Sequence, residues 1–262
     1  IAHEKAGIIK RRIPVLVAPQ LATVHSILQG RAAAVGAPLI TVDAEWAWRC
    51  DRRSADGQQF ILWPIARPQE EHSYQLPLIG DHQAENATVA VALVQQLREQ
   101  GWRIPQRAIT QGLKTVQWPA RCEVLSGEVP VMLDCAHNRA SAKRLVKTLQ
   151  DYFPGRHQVL VFGAMRDKDV TGMFAELLPG CSEAIMTSTG AVRAMRPHDL
   201  FQAAAEYHCP AYPATNLSSA LAQAKHTAAP DGIVVVTGSV ALVGAAHAAL
   251  LKSTTLSAAT RL

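Results

Sequence analysis

The chain has 262 residues, 48% of them hydrophobic and 18% charged, enough to bury one large core or two ordinary ones and inconsistent with a disordered segment. A net charge of +5 with scattered Lys and Arg suits an anionic small molecule at least as well as nucleic acid, so no nucleic-acid partner is expected. Five widely spaced cysteines, with no C-x-x-C and no zinc-like Cys/His spacing, argue against a disulfide framework and for a reduced, cytoplasmic compartment.

The chain opens Ile1-Ala2-His3-Glu4 as if in mid-helix, so a fragment of a longer protein is expected. A short β-branched run over residues 13–18 predicts a buried strand, residues 23–35 a helix and residues 38–42 a second strand. Residues 46–65 hold two aromatic-flanked runs around Ser54-Ala55-Asp56-Gly57, which predicts an antiparallel hairpin with an Asp-Gly turn. Residues 72–78 can add a third strand. A long helix follows over 81–100, stopped by Gly101, and a proline opens another over 105–115.

From Arg121 the texture changes to regular alternation. Strands are predicted at 122–125, 131–134, 158–162, 184–187 and 233–237. Helices are predicted at 139–150, 170–178, 197–207, 217–226 and 240–251, with Asn216 and Ser239 at N-cap positions and Pro197 near a first turn. Such alternation predicts an α/β fold with a mostly parallel sheet and helices on both faces. Residues 233–251 are apolar, but Gly238, Ser239, Gly244 and His247 interrupt them, which predicts buried strand, turn and helix rather than a membrane span. A domain boundary is expected at Trp118, dividing the chain into 1–117 and 118–262.

Neither G-x-x-x-x-G-K-[ST] nor G-x-G-x-x-G occurs. The candidate chemistry lies elsewhere. Residues 131–138, Val-Met-Leu-Asp-Cys-Ala-His-Asn, carry an acid, a histidine and an amide to a strand end, where open α/β sheets bind ligands. The plainer reading is that Asp134 and Asn138 cap the next helix. Asn86, one turn into the helix opened by Gly80-Asp81-His82-Gln83, can offer an adenine ring both a donor and an acceptor, or can simply be solvated. Arg121 in Trp118-Pro119-Ala120-Arg121 is either a linker residue or a phosphate clamp facing a cleft between domains. In Gly163-Ala164-Met165-Arg166-Asp167-Lys168-Asp169, Asp169 can cap a helix while Arg166 and Lys168 line a crevice at the sheet edge. Lys5, in Glu4-Lys5-Ala6-Gly7, is a solvated charge unless it is buried near metal ions.

Taken together, the order and spacing of these segments resemble the folylpolyglutamate synthase/dihydrofolate synthase family of the Mur ligase superfamily. Ile1–Ile9 resembles that family's I-A-x-E-K-A-G-I segment, and Leu78–Ala87 its L-x-G-x-H-Q-x-x-N-A. Trp118–Arg121 resembles W-P-G-R, and Leu133–Asn138 resembles L-D-G-A-H-N. The resemblance implies the remainder of a central ATP-binding ligase domain (1–117) followed by a Rossmann-like C-terminal glutamate-ligase domain (118–262), with the phosphate loop lying upstream. It implies ATP and Mg2+ as cofactors. The implied reaction joins L-glutamate to dihydropteroate or to folates through an acyl phosphate.

By position, Lys5 resembles the family's carbamylated lysine, a catalytic residue that helps hold the metal. Asn86 resembles the amide that contacts the ATP base. Arg121 and Asp134 resemble further ATP contacts, and His137 borders the nucleotide. Ala120 and Cys135 stand where the family usually has glycine, and Arg139 where proline is common. These departures put the loop geometry in question, since a Cβ restricts positive φ. The implied full-length enzyme is a monomer without membrane partners. A peptidoglycan-precursor Mur ligase and a non-catalytic nucleotide- or partner-binding domain are the alternatives.

Overall fold

The computed structural model describes residues 1–259, with side chains described through residue 252. The chain divides into two compact units. One comprises Ile1–Pro77 and Asp81–Gln117; the other comprises Leu78–Gly80 and the chain from Trp118 onward.

In the first unit, α1 (Ala2–Ala6) and α2 (Ala22–Val35) enclose a small core of Ala6, Ile9 and Ala32. Beside it β1 (Val15–Val17) and β2 (Leu39–Thr41) form a parallel pair. Gly36 ends α2 in the left-handed conformation, φ +63°, where a residue with a Cβ would be strained. A single turn, α3 (Val42–Glu45), which the sequence does not announce, leads into an antiparallel sheet of β3 (Trp46–Ser54), β4 (Gly57–Pro64) and β5 (His72–Leu76).

The hairpin forms where it is expected, but its two loop residues are Ala55-Asp56 rather than Asp-Gly: Ser54 pairs with Gly57, which begins the return strand. Phe60, Leu62, Tyr74 and Leu76 are buried, the period-2 pattern of a sheet with one covered face. Two helices, α4 (Asp81–Glu99) and α5 (Gln106–Thr115), complete the unit. The first buries Ala84, Ala87, Thr88, Val91 and Ala92, a single helical stripe. The second donates a 2.8 Å hydrogen bond from Gln106 Nε2 to Tyr74 Oη.

The second unit is a six-stranded sheet flanked by helices. In chain order its elements are β6 (Glu123–Leu125), β7 (Val131–Leu133), α6 (Arg139–Tyr152), β8 (Gln158–Phe162), α7 (Val170–Leu177), β9 (Glu183–Met186), α8 (Pro197–Ala204), β10 (Ala211–Pro213), α9 (Leu217–Ala228), β11 (Ile233–Thr237) and α10 (Val240–Ala259). The strand order is β10-β9-β8-β11-β7-β6, parallel throughout except for the β6–β7 pair.

Successive strand residues point to opposite layers. Leu160, Phe162 and Val235 join Leu145, Met173 and Leu200 of α6–α8 on one face. Val159, Val161, Val234 and Val236 join Ala224, Leu242 and Ala246 of α9 and α10 on the other. All five β11 residues are buried, and the first four read as an unbroken apolar run before Thr237. Ile79 packs into the α6–α8 layer, so this unit takes in a segment that the sequence reading places with residues 1–117.

The fold is α/β with a mostly parallel sheet, as the alternation predicts. The edge strand β10 goes unannounced because three residues ending in proline carry almost no periodic signal. Helix α8 stops at Ala204 rather than 207, where the amides of Ala205 and Tyr207 bond back to Gln202 and Ala204 in tight three-residue turns. Among the described residues no helix is long and apolar enough to cross a membrane.

Candidate functional site

The chain leaves β7 through α6 to β8, builds outward to β10, and returns to insert β11 between β7 and β8. That reversal is a topological switch point, where the carboxyl ends of the strands open a crevice. There the loops are tied together by backbone. The amide of Asp134 donates to Val236 O (3.1 Å), that of Gly238 to Ala136 O (3.0 Å) and that of Gly163 to Thr237 O (3.3 Å). Close approach explains the glycines. At Gly238, φ +109°, a Cβ would lie 2.7 Å from Gly163 O and 2.8 Å from the Phe162 ring. A Cβ at Gly163 would lie 2.5 Å from Thr187 O.

Asp134 sits at this edge, only 7% exposed. Its Oδ1 accepts from the Ala136 amide (2.9 Å), and its Oδ2 accepts from the Cys122 amide (3.0 Å) and Cys122 Sγ (3.3 Å). Burial holds its pKa above the ordinary carboxylate range, more than offsetting these donors and the nearby Arg121. A carboxylate has about four acceptor positions, so three internal bonds leave room for one outside hydroxyl or cation. Burial and the Asp134 carboxylate push the Cys122 thiol well up, which makes it a neutral donor rather than a nucleophile.

The loop carrying Arg121 is unusual. Ala120 and Cys122 both take left-handed backbone, φ +61° and +49°, although neither is glycine. Ala120 therefore holds a backbone conformation that its Cβ disfavours, at a cost in strain. Arg121 is exposed, its guanidinium 5.7 Å from the centre of the Trp118 ring. His137 is also exposed. Its Nδ1 lies 2.9 Å from Cys135 O; a carbonyl only accepts, so Nδ1 carries the proton and Nε2 remains for an outside partner. Asn138 is the N-cap of α6, its Oδ1 accepting from the Ser141 amide at 2.9 Å in a capping box. The two readings of the strand tip thus divide: Asn138 caps the helix, and Asp134 does not.

The loops after β8 and β9 form a second tie. Met165 bridges Ala194, and the Arg166 amide donates to Arg193 O at 2.9 Å. Lys168 pairs with Asp167, and Asp169 caps α7 through the Gly172 amide.

Arg121, Asp134 and His137 are therefore neighbours along one sheet edge of the second unit. Lys5 and Asn86 lie in the first. Lys5 is exposed on α1. Asn86 is exposed on α4, its Nδ2 donating to Gln83 Oε1 at 3.3 Å. Asp81, at the start of the same helix, pairs with Arg53 at 2.9 Å. No group of three or more His, Cys, Asp or Glu residues arranged to hold a metal occurs among the described residues. Sequence reasoning missed Cys122, whose bond to Asp134 spans twelve residues, and the Trp118 platform beneath Arg121. Nothing local in the sequence marks the Cys122 contact, whereas Trp118 stands only three residues before Arg121.

Residues 120–240 match the family model of the Mur ligase glutamate-ligase domain. Over 94% of its length the chain is 32% identical to a dihydrofolate synthase/folylpolyglutamate synthase from Mycobacterium tuberculosis. It is similar to the crystal structure of a folylpolyglutamate synthase from that organism complexed with ADP and AMPPCP, with a TM-score of 0.82 and coverage of 94% of this chain and 58% of that one. It is also similar to a bifunctional folylpolyglutamate synthase/dihydrofolate synthase from Yersinia pestis complexed with AMPPNP and a Mn ion, with a TM-score of 0.75, 26% identity, and coverage of 95% of this chain and 56% of that one. The chain spans little more than half the length of these relatives.

Proposed function

This chain belongs to the folylpolyglutamate synthase/dihydrofolate synthase family of Mur ligases, and on that ground we propose that it supplies the C-terminal wall of an ATP-dependent ligase that joins L-glutamate to dihydropteroate or to folates. The observation that carries the reading is the buried Asp134 at the sheet's switch point, tied to the loop that presents Arg121.

In this reading Arg121 meets the polyphosphate with its guanidinium fork, and the Trp118 face limits its freedom. Asp134 holds the Arg121 loop through Cys122 and offers its remaining acceptor position to a ribose hydroxyl. His137 borders the nucleotide through Nε2. Gly163 and Gly238 let the loops at the strand ends pack backbone against backbone, which holds this edge together beneath the nucleotide. By its match to the family's motif, Asn86 is assigned to the ATP base. The residues present fit a nucleotide: a cation, a buried acceptor and an exposed imidazole nitrogen.

ATP supplies the phosphoryl group that turns the substrate carboxylate into an acyl phosphate, which the glutamate amine then attacks as phosphate leaves. The divalent ion is Mg2+ in this proposal. Of this chain's residues only Lys5 is assigned to it, as a carbamate that turns an exposed cation into an anionic oxygen ligand. The five free thiols support a reducing, cytoplasmic setting, and the complete enzyme acts as a monomer.

The test is steady-state kinetics of the complete ligase with dihydropteroate, with a folate and with a UDP-muramoyl substrate. Arg121→Ala and Asp134→Ala are each expected to lower kcat/KM by about 10²-fold or more. Near-wild-type activity in both variants, or turnover of the UDP-muramoyl substrate alone, overturns the assignment. Under bicarbonate, a mass gain of one carboxylate at Lys5 is expected; an unmodified lysine removes it from the metal site.

A further inference from the structure

The turn that carries Arg121 is held from outside. Its two flanking residues sit in left-handed backbone without being glycine, a conformation that persists only where surrounding contacts over-determine it. Two of those contacts come from the end of β7: the Cys135 amide donates to Ala120 O at 3.1 Å, and Asp134 accepts from Cys122. The third comes from Glu123, the first residue of β6. Its Oε2 reaches back to accept the Ala120 amide at 2.8 Å. Its Oε1 lies 3.3 Å from His247 Nε2 on α10. The two side chains are 27% and 25% exposed, so the pair is partly shielded from water.

One carboxylate thus spans two elements. Without it the Ala120 amide loses its acceptor, the left-handed turn loses one of these restraints, and α10 no longer contacts the loop through His247. No geometric need of β6 explains that reach, because Glu123 already pairs with Leu133 through the strand ladder.

We propose that Glu123, oriented by His247, is a positioning residue for nucleotide binding: it fixes the Ala120–Cys122 turn so that Arg121 is presented at the sheet edge. The inference rests on the reading that Arg121 meets the nucleotide polyphosphate. A purely structural brace would lower stability and affect both substrates alike. A positioning residue acts on the nucleotide in particular.

The experiment is kinetics of the complete ligase, with KM for ATP and KM for L-glutamate measured separately and thermal unfolding followed in parallel. Glu123→Ala is expected to raise KM for ATP about tenfold, the effect of losing one charge-assisted hydrogen bond. KM for L-glutamate stays within about twofold. Glu123→Gln keeps an oxygen for the Ala120 amide and is expected to recover most of the loss. His247→Ala leaves the Ala120 bond in place but frees Oε1, and raises KM for ATP about threefold. It serves as the informative variant if Glu123→Ala does not fold. Equal rises in both KM values, no rescue by Gln, or a silent His247→Ala overturns the proposal. Arg121→Ala in the same assay separates the two levels. If it raises KM for ATP while Glu123→Ala does not, the positioning role fails alone. If it has no effect, the nucleotide reading fails and this inference with it.

Discussion

Replacing Asp134 with asparagine separates the carboxylate's charge from its shape. Asp134 accepts three bonds on two oxygens, from Ala136 N on one and from Cys122 N and Sγ on the other. An asparagine of the same outline has one oxygen. Turned toward Cys122, it keeps two bonds and sets its NH2 against the Ala136 amide. Ala136 is itself 2% exposed, so that donor is left buried and opposed, a loss of about 1.5–3 kcal/mol.

Removing a buried charge offsets part of this loss. The raised pKa shows that burial disfavours the ionised form by more than its partners stabilise it. The net expectation at neutral pH is destabilisation of about 1–2 kcal/mol, or a melting temperature lower by about 3–8 °C for a unit of this size. The sign of the pH dependence follows from the same shift. Between the ordinary carboxylate range and the raised folded value, the native state keeps a proton that the unfolded chain releases. Stability therefore falls as pH rises through that interval and levels off above it. The asparagine variant lacks that slope.

Urea unfolding at several pH values, with hydrogen exchange at the Ala136 and Cys122 amides as local probes, measures both effects. A variant as stable as the parent at neutral pH, with the Ala136 amide still protected, would refute the account of Asp134 as the tie between the two loops.

Three further substitutions probe the frame around this edge. Gly238→Ala places a Cβ against Gly163 O and the Phe162 ring at positive φ and is expected to cost about 2–4 kcal/mol, read as a fall in melting temperature or in soluble yield. Ala120→Gly relieves left-handed strain of about 1–2 kcal/mol, loses up to about 1 kcal/mol to unfolded-chain freedom, and so should raise the urea midpoint slightly. Ala120→Val should lower it, because a β-branched residue fits that backbone worse than alanine. Asn216→Ala removes the capping box of α9 and is expected to cost about 1 kcal/mol, with faster amide exchange confined to the first turn.

Much of the frame was legible along the chain. The runs at 158–162 and 233–237 read as strands because both faces of β8 and β11 are covered, so every side chain but the terminal Gln158 and Thr237 is apolar. Asn216, Asp169 and Ser239 read as caps because a short polar side chain before a helix has one dominant use, and each meets an amide of the first turn. The Asp-Gly signal found the hairpin to within one residue, because only a few dipeptides favour so tight a reversal. These signals are local: propensity, period and turn chemistry act over a few residues.

Pairing between distant segments was not legible. Nothing in the residues of β11 says that it inserts between β7 and β8, and that insertion creates the switch point. Nothing near Leu78 says that Ile79 belongs with the second unit's core. The strand tip with Asp134, His137 and Asn138 shows the divide most clearly. That an acid, a histidine and an amide stand at a strand end follows from the sequence alone. Whether the acid caps the next helix or turns back onto Cys122 was decided by the tertiary structure. A buried carboxylate goes where unpaired amides are: one belongs to Ala136, two residues on, and the other to Cys122, twelve residues away in sequence, which only folding brings within reach.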